Sequence, residues 1–342
     1  MRFEDLLKRS TCFCSWGRTA LYLALSAVDV CGREVLLPAF TCATNVPPAV
    51  YAAGGKPVFV EVDPHTLGLS LADLQEKINE HTAAIISHAY YGFVPESVAE
   101  VQKLAREHCI PHILDNAHAW GTDEEGDITV YSFTKSFTLP AGGAVMFRDE
   151  RLFMRAVSFQ ERQARVAHGL VTDVAAYSYQ QALAADRKEA FRGSLSHASL
   201  RRVMAKFVKL SKFYRFPDFY GMELRHQLFD TRMTEWQHKQ IACGMVDQEE
   251  RFARRRRLGL ALDAVFPTIN RRSSFPVYPC MVKNMEAMER LMDSLSVRTR
   301  RVWPAFQRYA DAQITVAVRA LRDHLLLLDT DDFTMEKIRR LG

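Results

Sequence analysis

A carboxylate, a hydroxyl and an amine stand close together in the run PHILDNAHAWGTDEEGDITVYSFTKSFTLPAGG, residues 111–143: Asp115, Ser132 and Lys135. An amine of this kind can form a Schiff base with an aldehyde, and a carboxylate can keep a pyridine nitrogen protonated, so that the ring draws electrons from an attached carbon. A hydroxyl nearby can hydrogen-bond a phosphate. Together these are the groups that pyridoxal phosphate (PLP) chemistry needs. Singly, each has a plainer reading: Asp115 as a turn cap, Lys135 as a solvated loop residue. The order of the three and their strand context favour the joint reading.

Elements that would bring them together can be read around them. A short buried strand, His112–Leu114, delivers Asp115 at its carboxyl end, and a second, Ile128–Phe133, delivers Ser132 and Lys135. In open α/β sheets ligands bind outside the carboxyl ends of the strands. Upstream, a helix begins at Gly17-Arg18-Thr19-Ala20-Leu21 and runs to about Val28, behind an arm of residues 1–16. The free N–H groups and dipole at such a helix start favour an anion. From Glu34 the chain alternates: strands at Glu34–Leu37, Lys56–Val60 and Ala83–Ser87, helices at Asn45–Ala53, Leu71–Asn79 and Pro95–His108, with Ser70 and Asp73 as a capping box. This predicts right-handed βαβ crossovers in one α/β domain.

After Phe147 the pattern is predominantly helical, over 149–168, 171–183, a basic amphipathic stretch at 199–214, and 233–266 with four successive arginines, Arg254–Arg257. Four neighbours spread around a helix and make no single stripe, which argues against a phosphate-tracking groove. The last segment reads as strand Val277–Val282, helix Asn284–Leu295, strand Val297–Thr299 and helix Thr334–Leu341. The division expected is a large PLP-binding domain, 1–225, and a smaller C-terminal α+β domain, 226–342.

The totals bound the function. A chain of 342 residues can bury a large core, and a net charge of +5 suits an anionic ligand without indicating nucleic acid. Seven cysteines lie scattered with no CxxC, and Cys12-Phe13-Cys14 is read as buried small side chains, so no metal site is expected. No apolar run reaches membrane-spanning length and the first residues carry no secretory leader, so a reduced, cytoplasmic protein without nucleic-acid or membrane partners is expected.

The run DNAHAWG followed by GDITVYSFTKSFTLPAGGAV resembles the DegT/DnrJ/EryC1/StrS family of PLP-dependent sugar aminotransferases. WGRTALYLAL, VLLPAFTCATNVPPAVYAAGGKPVFVEVDPHTL and TAAIISHAYYG are similar to its preceding blocks in the same order, and TRMTEW to a later one. The resemblance implies a fold type I aminotransferase architecture, with a mostly parallel central sheet and helices on both faces, and a homodimer. It implies Lys135 as the Schiff-base lysine and proton carrier, Asp115 at the ring nitrogen and His118 beside the ring. Thr19, Ala20 and Ser132 fall at the phosphate, and Cys42, with Phe40 nearby, at the ring face. L-Glutamate as amine donor and a nucleotide-linked keto sugar as acceptor are likewise implied.

Three departures from the family pattern bear on the acceptor. Ser132 and Lys135 are three residues apart where five is usual. Asp230 stands where the family often has Asn near a neighbouring subunit's phosphate. The usual Gly-Glu-Gly-Gly-like run is Pro140-Ala141-Gly142-Gly143. Family members that act as dehydratases carry histidine at the lysine position, so Lys135 argues for transamination. The alternatives are transamination of a non-sugar ketone and a non-catalytic regulatory protein on the same fold.

Overall fold

The computed structural model describes residues 8–42, 45–120, 122, 125–136, 142–165, 231–233, 235, 238, 241, 248–263, 266, 277–295, 297, 299–301, 316–329 and 336. Two sheets form among them. The larger has nine strands, taken here in chain order as β1 (Thr11–Cys14), β2 (Glu34–Pro38), β3 (Lys56–Val60), β4 (Thr82–His88), β5 (His112–Asp115), β6 (Ile128–Ser132), β7 (Gly143–Phe147), β8 (Ala164–Arg165) and β9 (Thr231–Arg232). Their spatial order is β3-β2-β4-β5-β6-β7-β1-β9-β8. Neighbours from β3 through β6 are parallel, and β7 runs antiparallel to both β6 and β1.

The parallel strands carry apolar residues on both sides because helices cover both faces. Every residue of β4, TAAIISH, is buried. One face packs α1 (Gly17–Val28), α2 (Val46–Ala52) and α6 (Glu150–Arg162) through Leu23, Leu25, Val50 and Ala156 against Val35, Ile86 and Val145. The other packs α3 (Leu71–Lys77) and α4 (Val98–Glu107) through Leu74, Val101 and Ala105 against Leu36, Val60 and Ile85. Ile85 and Ile86, wholly buried and on opposite faces, contribute about 2–3 kcal/mol each.

Helix ends follow local chemistry. Ser70 accepts the amide of Asp73 at the start of α3, as its capping-box spacing predicts. Asp29 closes α1 in the left-handed region (φ 67°), its amide returning to Leu25 and Ser26. Asp149 caps α6, which ends at Arg162 rather than at 168, because Gln163 is extended and leads into β8.

Two expectations are corrected. Residues 11–14 are not an arm but β1, paired in register with β7 from Thr11↔Met146 to Cys14↔Gly143. Four residues with only two inward side chains are too short for alternation to stand out. Phe133 is not the last residue of its strand, which ends at Ser132, but the first of the single helical turn α5 (Phe133–Ser136) that carries Lys135.

The second sheet has the order β10-β12-β11, all antiparallel: β10 (Val277–Met281), β11 (Thr299–Arg301) and β12 (Leu325–Asp329). Between them lie α8 (Met285–Ser294), capped by Asn284, and α9 (Val316–His324). Sequence reading placed β11 at 297–299. Val297 instead turns back, its amide bonding the Met292 carbonyl to close α8, and the strand starts two residues later. It also passed over α9 and β12, whose LLLLD run gives no alternation. α7 (Gln248–Asp263) occupies the arginine-rich stretch. The expected helices at 171–183, 199–214 and 334–341, and Asp230, fall outside the described residues, Glu336 excepted.

Candidate active site

At the carboxyl edge of the parallel strands a pocket is lined by Arg18, Cys42, His88, Asp115, His118, Ser132 and Lys135, among others. The strand ends place them. Asp115 is the last residue of β5 and His88 the last of β4, and the two are register partners, so their side chains emerge side by side. Ser132 ends β6 and faces the start of α1. Of the residues read from sequence, the structure brings Asp115, His118, Ser132, Lys135 and Cys42 to one pocket.

The carboxylate end is fixed. Asp115 Oδ2 lies 3.2 Å from His88 Nδ1, and Oδ1 accepts the Ala117 amide at 3.1 Å. Burial alone would push the Asp115 carboxyl up. The hydrogen bond and charge of His88, the charge of Lys135 and the Ala117 amide outweigh it and hold the acid below its ordinary value. Asp115 is therefore an anion at neutral pH, able to accept from a protonated ring nitrogen.

The amine end is arranged differently. Lys135 Nζ sits 3.0 Å from His118 Nε2. Burial first, and then the Lys135 charge, hold His118 well below the usual imidazole value, against the opposing pull of Asp115. His118 is thus neutral and accepts a hydrogen bond from the lysine. Tyr91 packs its ring 5.5 Å from the His118 ring. Tyr91 (φ 48°) and Gly92 (φ 97°) form the centre of a tight turn closed by reciprocal Tyr90–Phe93 backbone bonds.

A third region offers an anion cradle. α1 starts at Gly17 with no side-chain cap from Trp16, so its first-turn amides lack that partner. The Ala20 amide is taken by the Trp16 carbonyl, and Thr19, fully buried, shares a 3.1 Å hydrogen bond with Ser15. Thr19 and Ala20 therefore underlie the helix start, while Gly17, Arg18, Ser132 and Thr134 face the pocket, the last two with hydroxyls 3.0 Å apart. A Cβ on Gly17 would come within 2.7 Å of Ser132 Cβ, and one on Gly143 within 2.7 Å of the Gly17 nitrogen. The helix start can approach the β6 hydroxyl this closely only because both residues are glycine.

Cys42 borders the pocket with its sulfur accepting from Asn45 Nδ2 at 3.0 Å, while Phe40 turns inward onto Tyr90, 5.6 Å between ring centres. Sequence reasoning missed His88 and Thr41, whose hydroxyl lies 2.6 Å from His88 Nε2. A signal existed: ISH and ILD are consecutive parallel strands ending in His and Asp. The donor set fits PLP, with an amine, an anionic carboxylate and an amide-and-hydroxyl cradle around one pocket. Among the described residues no cluster of His, Cys, Asp or Glu could hold a metal, and no helix is long and apolar enough to cross a membrane.

A mostly parallel sheet with this edge constellation is the fold type I architecture of PLP enzymes. Residues 3–184 match the model of the DegT/DnrJ/EryC1/StrS aminotransferase family, and the chain belongs to that family. It is 32% identical over 173 residues to a GDP-perosamine synthase of Escherichia coli O157:H7, covering 48% of this chain and 47% of that protein. It is 35% identical over 150 residues to a UDP-N-acetyl-3-dehydro-alpha-D-glucosamine 3-aminotransferase of Acidithiobacillus ferrooxidans, covering 41% and 40%. The chain thus spans about half or less of the length of these curated relatives. Its fold is similar to that of S. venezuelae DesV, solved in complex with a ketimine intermediate: TM-score 0.69 at 17% identity, over 97% of this chain and 83% of that one.

Proposed function

We propose that this protein is a PLP-dependent aminotransferase that takes an amino group from L-glutamate and delivers it to a nucleotide-linked keto sugar. The observation that carries the reading is the placement of anionic Asp115 and the Lys135 amine on the wall of one pocket at the strand ends, next to an anion cradle. The named activities of the curated relatives support the sugar acceptor.

In this reading Lys135 and Asp115 hold the aldehyde and ring-nitrogen ends of the cofactor, and Gly17, Ser132 and Thr134 its phosphate. When bound, the cofactor supplies the electron sink that makes the substrate's C–H bond acidic. Lys135 Nζ is the atom that takes up and returns that proton. Neutral His118 orients the amine by accepting its N–H, and Asp115 keeps a proton on the ring nitrogen. Arg18, on the pocket wall at the start of α1, adds positive charge near the phosphate.

A cytoplasmic location and a homodimer complete the proposal. The described cysteines are all free, which supports a reducing compartment, and the dimer rests on the family resemblance. The division at 225/226 is likewise proposed. The second sheet, drawn wholly from 277–329, supports a C-terminal unit, although the pairing of Cys14 with Arg232 carries the large sheet past that point.

The test is a Lys135→Ala variant. The visible absorption band of lysine-bound cofactor should vanish, and turnover should fall by at least about a thousandfold. Retention of the band would reject the role of Lys135. Offering glutamate-treated protein nucleotide keto sugars and small keto acids in parallel reads the acceptor class. A band unmoved by glutamate would favour the regulatory alternative.

A further inference from the structure

We infer that Tyr91 is a positioning residue for the Lys135 amine: its ring, turned inward by a left-handed backbone, backs the His118 ring that the amine contacts. Lys135 Nζ lies 3.0 Å from His118 Nε2. The Tyr91 and His118 ring centres are 5.5 Å apart with their planes 36° from parallel, within the range of aromatic pairing. The flexible four-carbon stem of lysine cannot by itself fix the plane of an imidazole. Tyr91 can, because it is 1% exposed and sits in a turn bonded in both directions, the Tyr90 amide to the Phe93 carbonyl at 2.8 Å and the Phe93 amide to the Tyr90 carbonyl at 2.9 Å.

The backbone marks the position out. Both central residues of the turn have positive φ, 48° at Tyr91 and 97° at Gly92, a geometry usually filled by Asn-Gly or Gly-Gly. A bulky side chain there is rare and costs conformational energy. Burial in the apolar layer accounts for an apolar side chain at 91 but not for a flat one. On an extended chain successive side chains point to opposite faces. Here the left-handed backbone sets the Tyr91 ring 6.2 Å from that of Tyr90, and the pair meets the two histidines of the pocket, Tyr90 edge-on to His88 at 5.6 Å and Tyr91 on His118. The Ala89 amide on the Asp115 carbonyl, at 3.0 Å, ties the approach to this turn to the end of β5. One turn after β4 thus backs both imidazoles, one beside the acid and one beside the amine.

The inference rests on the function proposed above only for what the amine does, and the contact itself is tested without cofactor. Cofactor-free protein is treated with limiting acetic anhydride, and acetylation of Lys135 is read by peptide mass spectrometry relative to Lys103, whose side chain is 75% exposed. Tyr91→Leu fills the layer without a flat face. Freed from His118, Lys135 should then be labelled about three- to tenfold faster than in wild type, the worth of one hydrogen bond. Tyr91→Phe keeps the ring and should stay within about twofold of wild type. His118→Ala should raise the labelling as well, and adding Tyr91→Leu to it should change nothing further, a result that a tyrosine merely filling the core would not give. Tyr91→Gly suits the turn and also lacks the ring, so it should behave as Tyr91→Leu does, and it decides the matter if the leucine variant does not fold. Unchanged labelling in the variants that lack the ring, an equal rise in Tyr91→Phe, or an equal further rise when His118 is already absent would overturn the inference. Should the Lys135→Ala test reject the function, this labelling still decides whether Tyr91 holds the amine.

Discussion

Strand β5 takes part at its two ends in two pairings of histidine with aspartate, and the two have different work to do. At the carboxyl ends, His88 and Asp115 meet side chain to side chain on the wall of the pocket. At the amino end of β5, Asp127 Oδ2 accepts the backbone amide of His112 at 2.9 Å, while the buried His112 ring meets the Ser87 hydroxyl, at 2.9 Å. Burial pushes His112 down to about 4, with Asp127 pulling it back up in part. Residue type does not separate these pairs. What separates them is whether the imidazole faces a carboxylate beside open space or a hydroxyl inside an apolar layer. The first arrangement can hold a charge for a ligand, and the second only keeps a ring neutral.

The largest expected effect breaks the comparison at its functional side. Asp115→Asn removes the anion but keeps the shape, so turnover should fall on the order of a thousandfold while the unfolding midpoint moves little. The urea midpoint and the rate, measured on the same preparation, check this. A large loss of stability without a loss of rate would make Asp115 structural, like Asp127.

Next in size is a pH effect at the opposite edge. The folded-state value of His112 lies below that of the unfolded chain, so the unfolded state binds more protons between the two. Stability is then fully present above about pH 6.5 and is lost as the pH falls toward 4, by about 3 kcal/mol in all. His118 is shifted in the same direction, so the two histidines must be separated. Replacing His112 with Gln should remove its share of the loss between pH 6.5 and 4, read from urea midpoints of cofactor-free protein at both ends of that window. An unaltered slope would mean that His112 is not the group responsible.

These two edges were unequally legible in the sequence. Asp115, Ser132 and Lys135 could be found because each closes or follows a short apolar run, and a parallel sheet turns such ends toward one crevice. The strands and helices from Glu34 to Leu114 were legible because cap and breaker residues such as Ser70 and Pro95 punctuate them. His88 and Thr41 went unread because their importance lies in register: nothing local shows that the ends of β4 and β5 come level, His88 with Asp115. β1 was hidden for a related reason, since its partner β7 lies more than a hundred residues away. In the second sheet, residues 325–328 are an unbroken run of leucines, and periodicity cannot tell such a strand from a buried helix segment.

The smallest expected effect sharpens the structural side. Asp127 supplies an acceptor to the His112 amide, and its backbone carbonyl takes the Arg148 amide at 2.9 Å. Asp127→Ala leaves the first of these amides without its acceptor, which costs about 1–2 kcal/mol. Asp127→Asn keeps an acceptor oxygen in place and should cost well under that. Yet the Asn variant removes the charge that partly restores the affinity of His112 for a proton, so His112 should fall further and the loss of stability on acidification should grow. Turnover at neutral pH should stay within about twofold of wild type in both, because Asp127 is not on the pocket wall. If Asp127→Asn instead flattened the acid slope, the carboxylate would be acting on the unfolded chain or on another group, and the contrast between the two His–Asp pairs would have to be redrawn.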